Sequence, residues 1–311
     1  MTRYYIEAKE GSLVTVSQDK EERPFFIIMR TEEFLQQKEN FPHYKVLLHS
    51  LGSIRYCKVE SYKECLVGTI RMPKKKADRS PALAFGFYML EDHLIFVEDT
   101  GDLKLWVKKQ MPVLQALKYP DQLLLLLMEQ MVEDDSYYLS HLEKGMEKLE
   151  DELNHGGAGD FFERLTQYRR KLSELNAYYE QMTDIAEILQ MHTCHQLVQD
   201  AQLWEMYGRR TERLHNHVHL LQENVLQLRE LYQSQQDARQ NKIMGFLTVV
   251  TTLFLPLTLL TGWYGMKFVY MPELHFRYGY VGVIVVAVGI VGLEIWYFKK
   301  KKFLYRAGRR Q

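Results

Sequence analysis

Apolar positions along the 311-residue chain fall into three regimes. Up to about residue 107 they come as short runs rich in β-branched and aromatic residues: Tyr4–Ala8, Leu13–Val16, Phe25–Met29, Leu83–Met89 and Leu94–Glu98. Turn-like stretches such as 72–81 (MPKKKADRSP) separate them, which predicts strands. Thr31–Asn40 predicts a helix, opened by Thr31 with glutamates in its first turn. This part is a small α/β or α+β domain, and the pattern leaves both open. From Asp121 the period turns helical. One helix is expected from an Asp121 cap to about Leu153, where HGGAG (155–159) ends it. Its Leu123–Leu127 run is too short to cross a membrane and reads as core. A second helix follows an Asp160 cap towards Met191, and a third starts near Gln196 with Gly208 as its one breaker. In this third helix Thr211, Leu214, Val218, Leu221, Val225, Leu228 and Tyr232 alternate spacings of 3 and 4, a coiled-coil seam that predicts lateral partners.

The third regime is uncharged. Ile243 to Met266 is 24 residues without a charge, and Tyr278 to Phe298 is 21 residues with Glu294 alone. About 20 helical residues cross a hydrocarbon core, so each stretch is long enough to span. The connection 267–277 is only 11 residues, so the spans form a hairpin whose ends return to one side. Residues 233–242 (QSQQDARQNK) contain no Pro or Gly, which predicts that the stalk helix continues into the first span. The expected organisation is α+β: an N-terminal α/β cytosolic domain over 1–118, a helical stalk region over 119–242, spans at 243–266 and 278–298, and a tail at 299–311.

Charge orients this hairpin. Lys299, Lys300, Lys301, Lys302, Arg306, Arg309 and Arg310 follow the second span, whereas the connecting loop holds Lys267, Arg277 and Glu273. The positive-inside rule predicts both termini in the cytoplasm and a multi-pass protein of the cell membrane. Trp263, Tyr264, Tyr270, Tyr278 and Tyr280 gather at the outer end, with Trp296 and Tyr297 at the inner end, as interfacial residues do. Pro256 removes one hydrogen bond from the first span, which a kink or neighbouring helix accommodates. The whole chain balances 40 bases against 40 acids, which removes the basic footprint of a nucleic-acid binder. Three cysteines without a CxxC pair argue against a disulfide scaffold or zinc ribbon, and the N-terminus lacks the apolar core of a signal peptide.

Candidate chemistry is sparse. His192 and His195, with Cys194 between them, and the pair His215 and His219 have ligand-like helical spacings without a third ligand at fixed distance. Acidic runs at Glu133–Asp135 and Glu147–Glu152 suit hard cations, but they are expected as solvated helix faces, as is the basic run Lys74–Lys76 as a solvated loop. Glu294 lies close enough to Lys299 to be expected to snorkel to the interface. There is no GxGxxG, Walker loop or GxSxG, and nothing supports an enzyme.

The stretch QNKIMGFLTVVTTLFLPLTLLTGWYGMKFVYMPEL (240–274) resembles the pore helix and outer loop of the CorA family of magnesium channels. Asn241, Leu247–Thr248, Phe254–Thr258, Tyr264–Met266 and Met271–Leu274 match that pattern, and the second span, the KKKK run, the stalk and the N-terminal domain follow in the family's order. The resemblance implies a homopentameric funnel in the lipid bilayer, with five first spans lining a pore for Mg²⁺, the transported and regulatory ion. Stepping by 3 or 4 from Asn241, the implied lining is Met244, Leu247 or Thr248, Thr251, Leu255, Thr258 and Gly262. Met244 and Leu247 would form a hydrophobic constriction, and the threonines would offer oxygens to a hydrated ion. In the family, cytosolic carboxylates bind Mg²⁺ and hold the closed state; Glu230 and Asp237 are the candidates here. One position departs. The family's YGMN is YGMK, so the mouth is expected to consist of Gly265, Met266, Lys267 and Glu273, with Lys267 in place of asparagine. Two alternatives follow: a relative with altered ion selectivity or lost Mg²⁺ conduction, and a membrane-anchored binding module without a pore.

Overall fold

The structure is a computed structural model that describes residues 2–7, 12–15, 26–51, 54, 56–75, 83–90, 94–114, 120–156, 159–193, 198–266 and 278–300. Its strands are β1 (Thr2–Glu7), β2 (Ser12–Thr15), β3 (Phe26–Met29), β4 (Lys58–Ser61), β5 (Leu66–Arg71), β6 (Ala84–Met89) and β7 (Leu94–Val97). They form one sheet in the order β2-β1-β3-β7-β6-β5-β4. Only β3 and β7 run parallel, with Phe26 opposite Leu94 and Met29 opposite Val97; the remaining neighbours are antiparallel. The sheet is therefore of the α+β kind. Both central strands are buried at every position, which explains why FIIM and LIFV read as continuous apolar runs rather than alternations. One face packs Ile27, Met29, Val67, Tyr88, Ile95 and Val97 against Phe34 of α1 (Thr31–Gln36) and Leu47 of α2 (Tyr44–Leu51). On the other, the Phe96 ring meets Phe26 and Phe85 edge to face at 6.4 and 5.5 Å.

Two strands, β4 and β5, escape the sequence pattern. Lys58-Val59-Glu60-Ser61 is largely polar, and Gly68 interrupts the apolar run of β5. That glycine is sterically required: a Cβ there would lie 2.6 Å from the Lys58 carbonyl oxygen on the neighbouring strand and 2.5 Å from the Phe87 ring. The expected helix at 31–40 divides into α1 and a 3₁₀ turn at Lys38–Asn40. Its start is also displaced. The Arg30 backbone N–H donates to Glu33 Oε2 at 2.9 Å, while the Thr31 hydroxyl and N–H both donate to Asp99 just beyond β7. A tertiary contact has taken the side chain that local sequence assigns to capping.

The helices are α3 (Asp102–Leu114), α4 (Pro120–Met131), α5 (Asp135–Asn154), α6 (Phe161–Thr193), α7 (Val198–Gly265) and α8 (Gly279–Lys300). The single helix expected over 121–153 breaks at 132–134 because distant cations take the carbonyls there. Lys75 Nζ donates to Met131 O at 2.5 Å, and Arg210 Nη2 donates to Val132 O and Glu133 O at 3.3 and 3.0 Å. Lys75 is thus not part of a solvated loop. Its ammonium pairs with Asp135 Oδ1 at 2.5 Å, Asp135 is 1% exposed, and the Tyr179 hydroxyl donates to Asp135 Oδ2 at 2.9 Å. Burial pulls the Lys75 pKa down against the opposing pull of Asp135.

Residues 1–228 form one compact unit and 229–311 a second. Within the first, the heptad seam is filled by the chain itself. Thr211, Leu214, Val218, Leu221, Val225 and Leu228 are all buried, and the Thr183 and Thr211 hydroxyls meet at 2.9 Å between α6 and α7. The place of Gly208 is explained here, since a Cβ on it would stand 3.3 Å from the Ala186 Cβ on α6. As far as Leu228 this seam is covered by the molecule's own helices, whereas its last member, Tyr232, is half-buried in the second unit. The second unit holds the rest of α7, helical through Pro256, and α8.

Candidate functional site

In the second unit the 3/4 spacing places Glu230, Gln233, Ser234, Asp237, Ala238 and Asn241 along one shallow polar groove of α7. Three expected site residues, Glu230, Asp237 and Asn241, therefore share a face. Further along, Met244, Leu247, Thr248, Leu255, Thr258 and Gly262 are exposed and Thr251 is exposed beside them. No residue of α7 beyond 228, and none of α8, is buried within the chain. Two long apolar helices with no residue fully buried among the described residues require lipid or further copies around them.

Four of the span threonines share one geometry, and Thr261 instead donates to the Thr258 carbonyl at 3.1 Å. The hydroxyls of Thr248, Thr251, Thr252 and Thr258 each donate to the carbonyl four residues earlier, all at 2.8 Å. A hydroxyl so engaged has committed its proton to the helix and retains acceptor lone pairs. Acceptors suit the water shell of a cation, whose hydrogens point outward. Pro256, lacking an N–H, removes the usual i−4 partner of the Thr252 carbonyl.

Trp263, Tyr264, Tyr278 and Tyr280 end the spans at one side and Trp296 and Tyr297 at the other, all exposed. The Lys300 ammonium lies 4.9 Å from the Trp296 ring centre, a cation–π contact. Glu294 is half-buried, and its Oε2 is shielded and has no hydrogen-bond partner among the described residues. Lys267 and Glu273 at the expected mouth lie outside the described residues, as do Cys194 and His195. His192 is near the C-terminal end of α6, whereas the His215 and His219 rings meet on α7 at 6.4 Å. Among the described residues no group of three or more His, Cys, Asp or Glu is placed to hold a metal ion.

A sequence profile described as "CorA-like Mg2+ transporter protein" matches residues 30–300. The chain is 29% identical over 216 residues to the cobalt/magnesium transport protein CorA of Thermotoga maritima, covering 68% of this chain and 61% of that protein. It is 30% identical over 189 residues to a putative metal ion transporter, YfjQ, of Bacillus subtilis, covering 60% of this chain and 59% of that one. The matched region thus spans about three fifths of each relative's length. In fold it is similar to the CorA magnesium transporter of Methanocaldococcus jannaschii, with a TM-score of 0.76, 20% identity and 96% of both chains covered. With the match running from α1 to the end of α8, the chain belongs to the CorA-like Mg²⁺ transporter family.

Proposed function

We propose that the chain assembles as a homopentamer that conducts hydrated divalent cations, Mg²⁺ foremost, along its α7 helices. The observation that carries this reading is the row of span threonines whose protons are committed to the backbone, leaving only acceptors for the waters of a passing ion. Met244 and Leu247, at the entry to the span from the stalk, form the apolar constriction, which closes by dewetting when the helices approach. Glu230 and Asp237 on the stalk groove attract cations and bind regulatory Mg²⁺ that favours the closed state. Both termini are cytoplasmic, and α8 surrounds the pore helices in the cell membrane. The names of the relatives from Thermotoga maritima and Bacillus subtilis support a metal-ion cargo. The test is flux into proteoliposomes under an inside-negative potential, with Mg²⁺, Co²⁺, Na⁺ and Cl⁻ compared. Divalent uptake that falls when Met244 and Leu247 are both replaced by bulkier phenylalanine supports the path. Intact oligomer with no divalent flux, including in the Lys267→Asn variant, rejects it.

A further inference from the structure

We infer that His215 and His219 form a binding site for one divalent transition-metal ion of the Zn²⁺ or Ni²⁺ type on the soluble stretch of α7. This goes beyond the conduction reading and does not depend on it. The two imidazoles lie one helical turn apart and project from the same face, as residues at i and i+4 do. Their ring centres are 6.4 Å apart at an interplanar angle of 88°. His215 is half-buried and His219 exposed, so an ion reaches both. Neither ring has a hydrogen-bond or ion-pair partner among the described residues, which leaves their nitrogens free to act as donors to a metal. The nearby His217 differs, since its Nε2 is turned to Glu143 Oε2 of α5 at 3.7 Å. The buried seam residues Leu214, Val218 and Leu221 lie on the neighbouring face of the helix, with half-buried His215 at its flank and His219 turned further towards the exposed side.

The chemistry of the donors sets the class of ion. Zn–N bonds of about 2.0–2.1 Å at a tetrahedral centre bring two ligating ring centres to about 5 Å, which rotation of the exposed His219 side chain achieves from the present separation. Glu212, three residues before His215, and Glu223, four after His219, flank the pair on exposed positions and add negative field without completing a three-ligand group. With two nitrogens from this chain, water fills the remaining positions. Imidazole suits Zn²⁺, Ni²⁺ and Cu²⁺, whereas Mg²⁺ takes oxygen ligands and sheds water reluctantly. The site therefore distinguishes transition cations from the proposed cargo, and the stalk would sense them independently of Mg²⁺.

The test uses the full-length protein in detergent micelles with Zn²⁺ alone as the probe, read by calorimetry and by diethylpyrocarbonate footprinting of individual histidines. Zn²⁺ is expected to protect His215 and His219 from modification, and His215→Gln or His219→Gln is expected to weaken binding at least about tenfold. That threshold is conservative, because loss of a partner outside the ligand shell already weakens metal binding by about that much. His217→Gln, which removes an adjacent histidine from another face, should leave affinity unchanged, and millimolar Mg²⁺ should not displace the ion. Binding unaltered in both pair variants overturns the site, as does displacement by Mg²⁺ at comparable concentration. No ion gradient enters the measurement, so a failed flux assay leaves this result standing and the reverse also holds.

Discussion

Lys267 puts a full positive charge where the family pattern has a neutral amide. Asparagine offers a carbonyl oxygen to the outward hydrogens of a hydrated cation, whereas lysine has three donors and no acceptor. One lysine about 7 Å from a divalent ion in bulk water opposes it by roughly 1.2 kcal/mol before screening. Five in a ring would oppose it by on the order of 6 kcal/mol, several decades in occupancy. Native Mg²⁺ flux is therefore expected to fall below that of Lys267→Asn or Lys267→Gln by at least about tenfold at low salt. Equal flux in native and variant proteins would place the lysines outside the ion path. A second prediction at this scale concerns the sheet-region thiols. Burial pushes the Cys57 thiol up to about 11, and the Arg71 N–H reaches its Sγ at 3.2 Å. Cys65 is also buried and raised by desolvation. Because thiolate is the reactive species, a Cys194→Ser variant should take up no maleimide at pH 8 while folded and label at both remaining cysteines once unfolded. Rapid native labelling would show that the sheet core opens. The stalk residues were legible because 3/4 spacing alone puts Glu230, Asp237 and Asn241 on one face. The bond of the span threonines to the preceding turn was not legible, since it is a rotamer choice.

Elements show where reading by pattern fails. The heptad seam of α7 is present as expected, but up to Leu228 it is buried within the same chain, with α6 meeting it at Thr183, because a seam specifies that something packs on it and not what supplies it. The break between α4 and α5 has no glycine or proline to announce it. It depends on Lys75 and Arg210, which approach from far away in the sequence. That junction supports a stability prediction. Asp135→Asn leaves the Lys75 ammonium buried without its counter-ion, a loss of about 3–5 kcal/mol. The double variant Lys75→Met with Asp135→Leu should regain most of that loss, because it removes both charges together. Urea unfolding followed by tryptophan fluorescence measures both. A single variant no less stable than the wild type would mean that the pair is hydrated.

For the whole molecule, the exposed apolar surface of α7 and α8 is the dominant fact. It is too extensive to face water, and the proposed pentamer in a bilayer covers it. If Mg²⁺ bound at Glu230 and Asp237 favours the closed assembly, millimolar Mg²⁺ should slow proteolysis of the stalk. Glu230→Gln with Asp237→Asn should abolish most of that protection. Cleavage rates insensitive to Mg²⁺ in the native protein would remove these carboxylates as sensors while leaving conduction open.

The sequence by itself determined what one-dimensional period and charge can encode: two spans, the long helix entering the first, the strands at the sheet centre and the family motif. Those features depend on neighbours within a turn or on unbroken apolar length, so local spacing suffices. Only the tertiary structure decided the sheet order with its single parallel pair, the strands β4 and β5, the break at 132–134, the owner of the seam and the burial of Lys75. Each of these rests on contacts between residues distant along the chain. A polar strand such as Lys58–Ser61 is stabilised by its neighbour's backbone, and a lysine in a basic run is buried because one aspartate about sixty residues away is already there.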